Sequence, residues 1–369
     1  MFLKKILLDN FRLHKKTEID FSKELNYIVG GNGQGKTTIL EAIYYLCTAK
    51  NINQNPDIEV VTFGENNFSA TALFFDLIDY KSRIFFSAET NKKNYFLNDK
   101  QLSRISSFIG KFPVVSLTPT DFSITQGIPA DRRKFVDSII SQVNPTYLEY
   151  LLDYNKILKQ RSALLNQINE KRDKNLLIQL DAWTENLVKN GVEIVKHRKN
   201  FIRQFNAHLI NNYYNFIEDI EKPEMVYNFL DTNDNDIEEK FISELNKNKE
   251  LEIIRAKNLV GPHRDDFVFF LNGKELKKYG SQGQHKTFQI ALRFAQFFYM
   301  LDITGKKPIF LMDDIFGDLD SFRVRKIGSY LKTIGQAFIT LTDFNFNENV
   351  FMNDGDKFIK VNNGKISYA

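Results

Sequence analysis

The chain has 369 residues, 43% of them hydrophobic, and a formal net charge of only +4. That is ample apolar material for one large core or two, and too little charge for a histone-like polycation, which leaves a soluble protein with local basic patches. The single cysteine, Cys47, excludes a disulfide framework and argues for a reducing compartment. The apolar run from Phe2 is broken at Lys4 and Lys5, too early for a signal peptide, and no run is long enough to span a membrane. The expected location is the cytoplasm.

In chain order, Ile6-Leu7-Leu8, Thr17 to Phe21 and Asn26 to Val29 read as short strands. A helix from about Lys36 to Leu46 follows a glycine-rich turn. The stretches Phe68 to Phe75 and Ser82 to Phe86 alternate and read as antiparallel strands with one covered face, with a turn at Asn98-Asp99. From Ala130 to about Ile217 the pattern becomes helical. Leu151, Tyr154, Leu158, Arg161 and Leu165 share one face, and Asn144-Pro145 supplies a cap and a first position. A second helix, from about Asp181 to Phe216, carries Trp183, Leu187, Ile194 and Phe201. The polar stretch Asn169 to Asn175 reads as the tip of this helical pair. An acidic irregular segment at Asp231 to Asp236 and a short helix come next. Strand and helix alternate again from about Val260, with hairpin signals at Asn272-Gly273 and Asn363-Gly364. The expected layout is one α/β unit built from residues 1–120 and 256–369, interrupted by a helical insertion at 121–255.

Gly30-Gly31-Asn32-Gly33-Gln34-Gly35-Lys36-Thr37 fits the phosphate-loop pattern completely, between a strand and a helix that continues through Thr38. Its glycines let backbone N–H groups converge on phosphate oxygens, and the helix start adds partial positive charge. Lys36 is expected to reach the β- and γ-phosphates of ATP, a catalytic as well as a binding role, and Thr37 to bind Mg²⁺. Far downstream, the apolar run Pro308 to Met312 ends in Asp313-Asp314. A carboxylate at the end of such a strand holds Mg²⁺, the role given to Asp313, and Asp314 is placed to polarise the attacking water. Between them, Ser281-Gln282-Gly283-Gln284 precedes an apolar helix. It resembles the Ser-Gly-Gly-Gln signature of ABC ATPases, with Gln282 in place of the first glycine of the pair. That resemblance implies that Ser281, Gly283 and Gln284 of one subunit face the γ-phosphate held by another. Gly317-Asp318-Leu319-Asp320 resembles the loop that lines the same interface.

Further stretches resemble the RecF family of bacterial recombination-repair proteins: Leu7 to Arg12, Leu40 to Tyr44, Asp131 to Asp137, Tyr154 to Leu165 and Leu259 to Asp266, in the family's order. The resemblance implies an ABC/SMC-type P-loop ATPase head, a mixed sheet with helices, carrying a short helical arm. It implies a nucleotide contact from Arg12. It implies an ATP-dependent homodimer that binds duplex DNA near single-strand gaps and works with RecR and RecO to place RecA on gapped DNA, in the SOS response. Two departures from the wider class imply slow hydrolysis. Thr118 to Asp121 lacks the usual Mg²⁺-sensing glutamine, and Thr342-Asp343 lacks the switch histidine of transporters. Lys286 stands where the family usually has arginine, which keeps the charge and loses bidentate geometry.

Lys156, Lys159, Arg161, Lys171, Arg172, Lys174, Lys189, Lys196, Arg198, Lys199 and Arg203 make the insertion the most basic local region. Lys4, Lys5, Lys15 and Lys16 form a second basic patch. Either could meet DNA phosphates, with shape and charge rather than sequence as the basis of binding. His263 has no second histidine or cysteine at ligand spacing, so a metal role is not expected there. Arg264 fits an ion-pair network as well as a phosphate contact. The alternatives are another SMC-like repair ATPase and a transporter's nucleotide-binding subunit. The second normally has the missing glutamine and histidine and lacks the basic insertion.

Overall fold

Three strands and a helix open the chain in the computed structural model, which describes residues 1–52, 55–171, 173–215, 221–230, 236–316, 321–342 and 354–368. They are β1 (Phe2–Phe11), β2 (His14–Asp20), β3 (Leu25–Val29) and α1 (Lys36–Thr48). Leu3, Ile6, Leu8 and Phe11 of β1 are all buried, and an irregularity in the pairing with β4 between Leu3 and Lys5 brings Leu3 and Ile6 to the same face. Next come β4 (Asn67–Asp76), β5 (Ile78–Ser87), β6 (Lys92–Leu97), β7 (Lys100–Gln101) and β8 (Val114–Leu117). Strands β2-β1-β4-β5-β6-β7 form one six-stranded antiparallel sheet. Asn98 and Asp99 both take positive φ at the β6–β7 turn, as their dipeptide suggests.

The contacts divide the chain into two compact units: Met1–Asp121 with Asn212–Asp219 and Ile290–Ala369, and Phe122–Asn211 with Ile220–Gln289. The second unit therefore runs past the expected boundary at 255. It contains α2 (Phe122–Gln126), α3 (Pro129–Val143), α4 (Pro145–Lys171), most of α5 (Lys174–Tyr214), β9 (Pro223–Asn228), α6 (Ile237–Arg255), β10 (Asp266–Leu271), β11 (Lys274–Glu275) and α7 (Leu276–Tyr279). Helix α8 (Gln282–Thr304) begins in it and ends in the first unit. The first unit is completed by β12 (Ile309–Met312), α9 (Ser321–Ile334), β13 (Ala337–Leu341), β14 (Lys357–Asn362) and β15 (Lys365–Tyr368).

The second six-stranded sheet has the order β15-β14-β3-β13-β12-β8, parallel except for the β14–β15 hairpin. Strands β3, β8 and β12 are buried along their whole length, the uninterrupted apolar character of a parallel sheet covered on both faces. Helix α1 is buried nearly all round, and its Ile39, Leu40, Ile43 and Leu46 share one core with β1, β4 and β12. Cys47 is buried and free in that helix.

The sequence anticipates both Asn-Gly hairpins. Asn272 and Gly273 have φ 51° and 73°, and Asn363 and Gly364 have φ 47° and 74°, the left-handed pair that a two-residue turn requires. It anticipates the start of α4, where the Asn144 side chain accepts the Tyr147 N–H at 3.1 Å. It does not anticipate that the second unit holds a three-stranded sheet, β11-β10-β9. Strand β9 starts at a proline and alternates weakly, and its partner β10 lies far along the chain. The structure also corrects the length of α6, which spans 19 residues rather than one short helix. Arg172, most of the acidic segment at Asp231, the Gly317 to Asp320 loop and Asp343 lie outside the described residues.

The basic insertion changes meaning in three dimensions. Arg161 and Arg198 are each 2% exposed. Arg198 donates to Asp137 at 2.9 Å and to the Pro262 carbonyl at 2.7 Å, and pairs with Asp265 at 3.3 Å. Arg161 pairs with Glu252 at 2.9 Å and donates to Asn258. Neither faces solvent, so both leave the set of DNA-facing cations. His263 and Arg264 are structural too. His263 bonds the Tyr154 hydroxyl at 2.8 Å, and Arg264 donates to the Asn258 carbonyl at 2.7 Å. Gly261 has φ 133° and lies so close to Tyr154 that an added Cβ would sit 2.3 Å from the hydroxyl. Lys4 and Lys5 pair with Asp79, Glu18 and Asp20, which weakens the patch expected there. Removing one partner of a buried pair strands the other charge. Arg198→Ala should therefore lower the unfolding free energy by roughly 3–5 kcal/mol, read from urea melts. A loss below about 1 kcal/mol, the range of exposed pairs, would contradict the assignment.

Candidate nucleotide site

The carboxyl ends of β3, β13 and β12 lie side by side because these strands are neighbours in the sheet. The phosphate loop leaves β3, and Asp313-Asp314 leave β12, so residues distant in sequence meet there. The loop is held from several directions. Gly30 N donates to the Leu341 carbonyl at 3.2 Å. A Cβ on Gly30 would sit 2.3 Å from the Val361 carbonyl oxygen, so only glycine fits. Gln34 accepts from Asn363 N at 2.7 Å through its side chain and from Gly364 N at 3.0 Å through its carbonyl. The β14–β15 turn thus pins the loop. His14 is fully buried and donates through Nε2 to the Gly35 carbonyl at 3.2 Å, with burial pushing its pKa below the usual value.

Lys36 Nζ donates to the carbonyls of Gly30 and Gly31 at 2.7 and 2.9 Å, which holds the ammonium over the loop. The Thr37 hydroxyl donates to Asp313 Oδ1 at 2.9 Å. The Thr340 hydroxyl donates to the same oxygen at 2.8 Å and accepts from Asp314 N at 2.8 Å. Thr340 therefore orients both acids. Burial pushes the Asp313 carboxyl above the usual range, while the hydroxyls of Thr340 and Thr37 pull it back. Asp314 is exposed, with a left-handed φ of 46°.

These groups line one cavity of about 400 Å³, with Arg12, Asn32, Gly33, Gly35, Lys36, Thr37, Thr38, Asp313 and Asp314 on its wall. Arg12 is anchored by Glu41, its Nη2 donating at 2.8 Å in a bidentate pair. A hydroxyl and a carboxylate at the phosphate end are hard oxygen donors, the set a magnesium ion takes up alongside phosphates and water.

Ser281, Gly283 and Gln284 belong to the second unit. Ser281 and Gln284 form a reciprocal cap at the start of α8. Ser281 N donates to Gln284 Oε1 at 2.8 Å, and Gln284 N donates to Ser281 Oγ at 3.2 Å. Gln284 Nε2 also donates to Glu221 at 2.8 Å.

Sequence reasoning missed His14, Glu41 and Thr340. A threonine inside the apolar run Phe338 to Leu341 was the one available signal. Asp121, in the stretch that lacks the glutamine, is committed elsewhere: its carboxylate takes Arg293 at 2.6 Å.

Residues 2–367 match the family model described as RecF/RecN/SMC N terminal domain. The chain belongs to the RecF family. It is 38% identical to the DNA replication and repair protein RecF of Chloroherpeton thalassium, over 93% of this chain and 95% of that protein. It is 35% identical to the Leptospira interrogans protein of the same description, over 93% and 92%. A solved structure of the recombination mediator protein RecF with ATP, in the RecFOR pathway, superposes with a TM-score of 0.91 at 30% identity, over 100% of this chain and 97% of that one. A Smc head domain from Pyrococcus furiosus gives 0.58 at 15% identity, over 100% and 96%, a likeness of fold. The fold is therefore the ABC/SMC-type head expected from the motifs. No helix among the described residues is long and apolar enough to cross a membrane.

Thr340→Val removes one of the donors to a buried carboxylate. It should cost about 1–3 kcal/mol of stability at neutral pH. The loss should shrink as acid protonates the group, since the Thr340 hydroxyl favours the charged carboxylate against the burial that disfavours it. Urea melts at neutral and acidic pH check this; a loss that does not depend on pH would contradict it.

Proposed function

We propose that this protein is an ATP-dependent DNA-binding ATPase of recombinational repair and replication restart. The observation that carries the reading is the 2.9 Å bond from Thr37 to Asp313, which joins a complete phosphate loop to the acid after β12. Gly30, Gly31, Asn32, Gly33, Gln34 and Gly35 cradle the phosphates through backbone N–H groups, with Thr38 and Arg12 on the same wall. Lys36 carries positive charge to the β- and γ-phosphates. Thr37 and Asp313 hold Mg²⁺, which when bound supplies charge neutralisation at the phosphate oxygens. Asp314 polarises the attacking water. Hydrolysis is slow, because the stretch Thr118 to Asp121 lacks the Mg²⁺-sensing glutamine and Thr342-Asp343 lacks the switch histidine.

The working unit is a homodimer with ATP inside the interface, in which Ser281, Gly283 and Gln284 of one copy meet the γ-phosphate of the other. ATP favours that state by binding it more tightly. The DNA-facing cations are the exposed Lys156, Lys159, Lys171, Lys174, Lys189 and Arg203, with Lys196 beside them held by Glu193 at 2.8 Å. They match duplex phosphates and carry no base-reading module. We read the protein as acting in the cytoplasm near single-strand gaps, with RecO and RecR, to place RecA; the relatives' description as DNA replication and repair proteins and the RecFOR pathway of the solved relative support the repair role and the two partners.

Sedimentation with labelled ATP tests the scheme in one series. Lys36→Ala should bind no ATP and stay monomeric. Asp314→Asn should bind ATP, dimerise and fail to turn over. Adding Ser281→Arg to Asp314→Asn should leave ATP binding nearly normal and abolish the dimer. Wild-type turnover by Asp314→Asn would remove its water-polarising role, and an ATP-loaded protein that stays monomeric with DNA present would remove the dimer.

A further inference from the structure

The stretch at Ser281 is held by a residue that no motif marks. Gln284 Nε2 donates to Glu221 Oε1 at 2.8 Å. Glu221 lies just before β9, the strand that the sequence does not anticipate. The backbone beside it is fixed by the β10–β11 turn. Lys222 N donates to the Asn272 side chain at 2.7 Å, and Asn272 N donates to the Lys222 carbonyl at 2.9 Å. Pro223 then faces Leu271 in the β9–β10 ladder. The carboxylate is therefore presented from the end of an ordered sheet, which lowers the entropy cost of using it.

An ionised carboxylate accepts hydrogen bonds and donates none, so it decides which way the Gln284 amide points. The amide nitrogen must face Glu221. Its oxygen is left to accept Ser281 N–H, the 2.8 Å bond of the cap. The main-chain N–H of Gln284 meets Ser281 Oγ at 3.2 Å, which uses that oxygen as an acceptor and leaves its own hydrogen to donate. The first-turn N–H groups of Gln282 and Gly283 have no partner within the helix. The start of α8 thus offers a hydroxyl and main-chain N–H groups together, a donor set for an anion. With the amide turned over, its NH₂ would meet Ser281 N–H, donor against donor, and the cap would open. On the other flank, Gly280 N donates to the Leu276 carbonyl at 2.8 Å. A Cβ on Gly280 would sit 2.6 Å from that oxygen and 3.2 Å from Nε2 of the buried His285, so this flank is closed by packing.

We propose that Glu221 is a positioning residue for the signature: by fixing the Gln284 amide it keeps the Ser281 hydroxyl and the first-turn N–H groups as donors to the γ-phosphate that a second copy carries. This rests on the reading of Ser281, Gly283 and Gln284 as one half of a two-copy nucleotide site. The charge of Glu221 opposes a phosphate, so it acts through Gln284 and not by contact. The small sheet of the second unit gains a role on this account, since β9 is what brings the carboxylate to the signature.

The test uses the full-length chain carrying Asp314→Asn, with calorimetry for ATP affinity and light scattering for the ATP-dependent dimer. Adding Glu221→Ala should leave ATP affinity as it is and weaken the dimer roughly tenfold for each of its two symmetry-related sites, the scale of one charge-assisted hydrogen bond. Glu221→Gln, whose amide oxygen still accepts from Gln284, should stay within about threefold per site. With Asp314 intact, turnover by Glu221→Ala at saturating ATP should recover as protein concentration rises, because only the meeting of two copies is impaired. A tighter dimer in both variants would overturn the proposal, since charge repulsion and not positioning would then be the role of Glu221. Loss of ATP affinity in Glu221→Ala together with a lower melting temperature would overturn it as a structural effect. If Asp314→Asn alone bound ATP and formed no dimer, the signature reading would fail and take the proposal with it. A dimer that forms with ATP and is indifferent to Glu221→Ala would sink the proposal alone.

Discussion

One carboxylate oxygen organises the first unit. Asp313 Oδ1 accepts from Thr37, 276 residues earlier in the chain, and from Thr340 on the strand between. Neither hydroxyl reaches it unless β13 lies between β3 and β12, and the sheet has that order. The second unit enters the sequence between the two halves and leaves their meeting intact. The sheet is therefore a device for closing a very long loop at one point. Its buried apolar strands supply the stability that a polar, partly buried cluster does not.

Charge follows the same logic in the second unit. Its basic side chains divide into two populations that sequence alone does not separate. Arg161 and Arg198 are spent inside, on Glu252, Asp137 and Asp265, while Lys156, Lys159 and Lys196 remain at the surface. Buried pairs of this kind rarely add stability over an apolar core of the same shape, but they punish loss of either partner. The Gly261 to Asp266 segment belongs to this network through His263, Arg264 and Asp265 rather than to a catalytic centre. The basic surface left for a polyanion is correspondingly smaller than the composition suggests.

Legibility in the sequence followed the range of the interactions. The phosphate loop, the α4 start at Asn144 and the turns at Asn272 and Asn363 are local: a few adjacent residues determine their backbone, and all were readable. Strands β3 and β12 were readable as apolar runs, and the order of the sheet was not. Strand β9 was missed because its pairing with β10 is distant and its alternation weak. Thr340 and His14 were missed for a different reason. A threonine in a strand and a histidine after a turn acquire meaning only when a third segment arrives to bond them.

The central claim is that Thr37 and Asp313 act as one unit on the phosphate end of the nucleotide. A double-mutant cycle tests it most directly: ATP affinity in the presence of Mg²⁺ for the wild type, Thr37→Val, Asp313→Asn and the double variant. Residues that share a partner couple by about 0.5–3 kcal/mol. The account predicts that the double variant binds ATP scarcely worse than the weaker single variant. Losses that simply add would contradict it, because Thr37 and Asp313 would then serve the nucleotide independently.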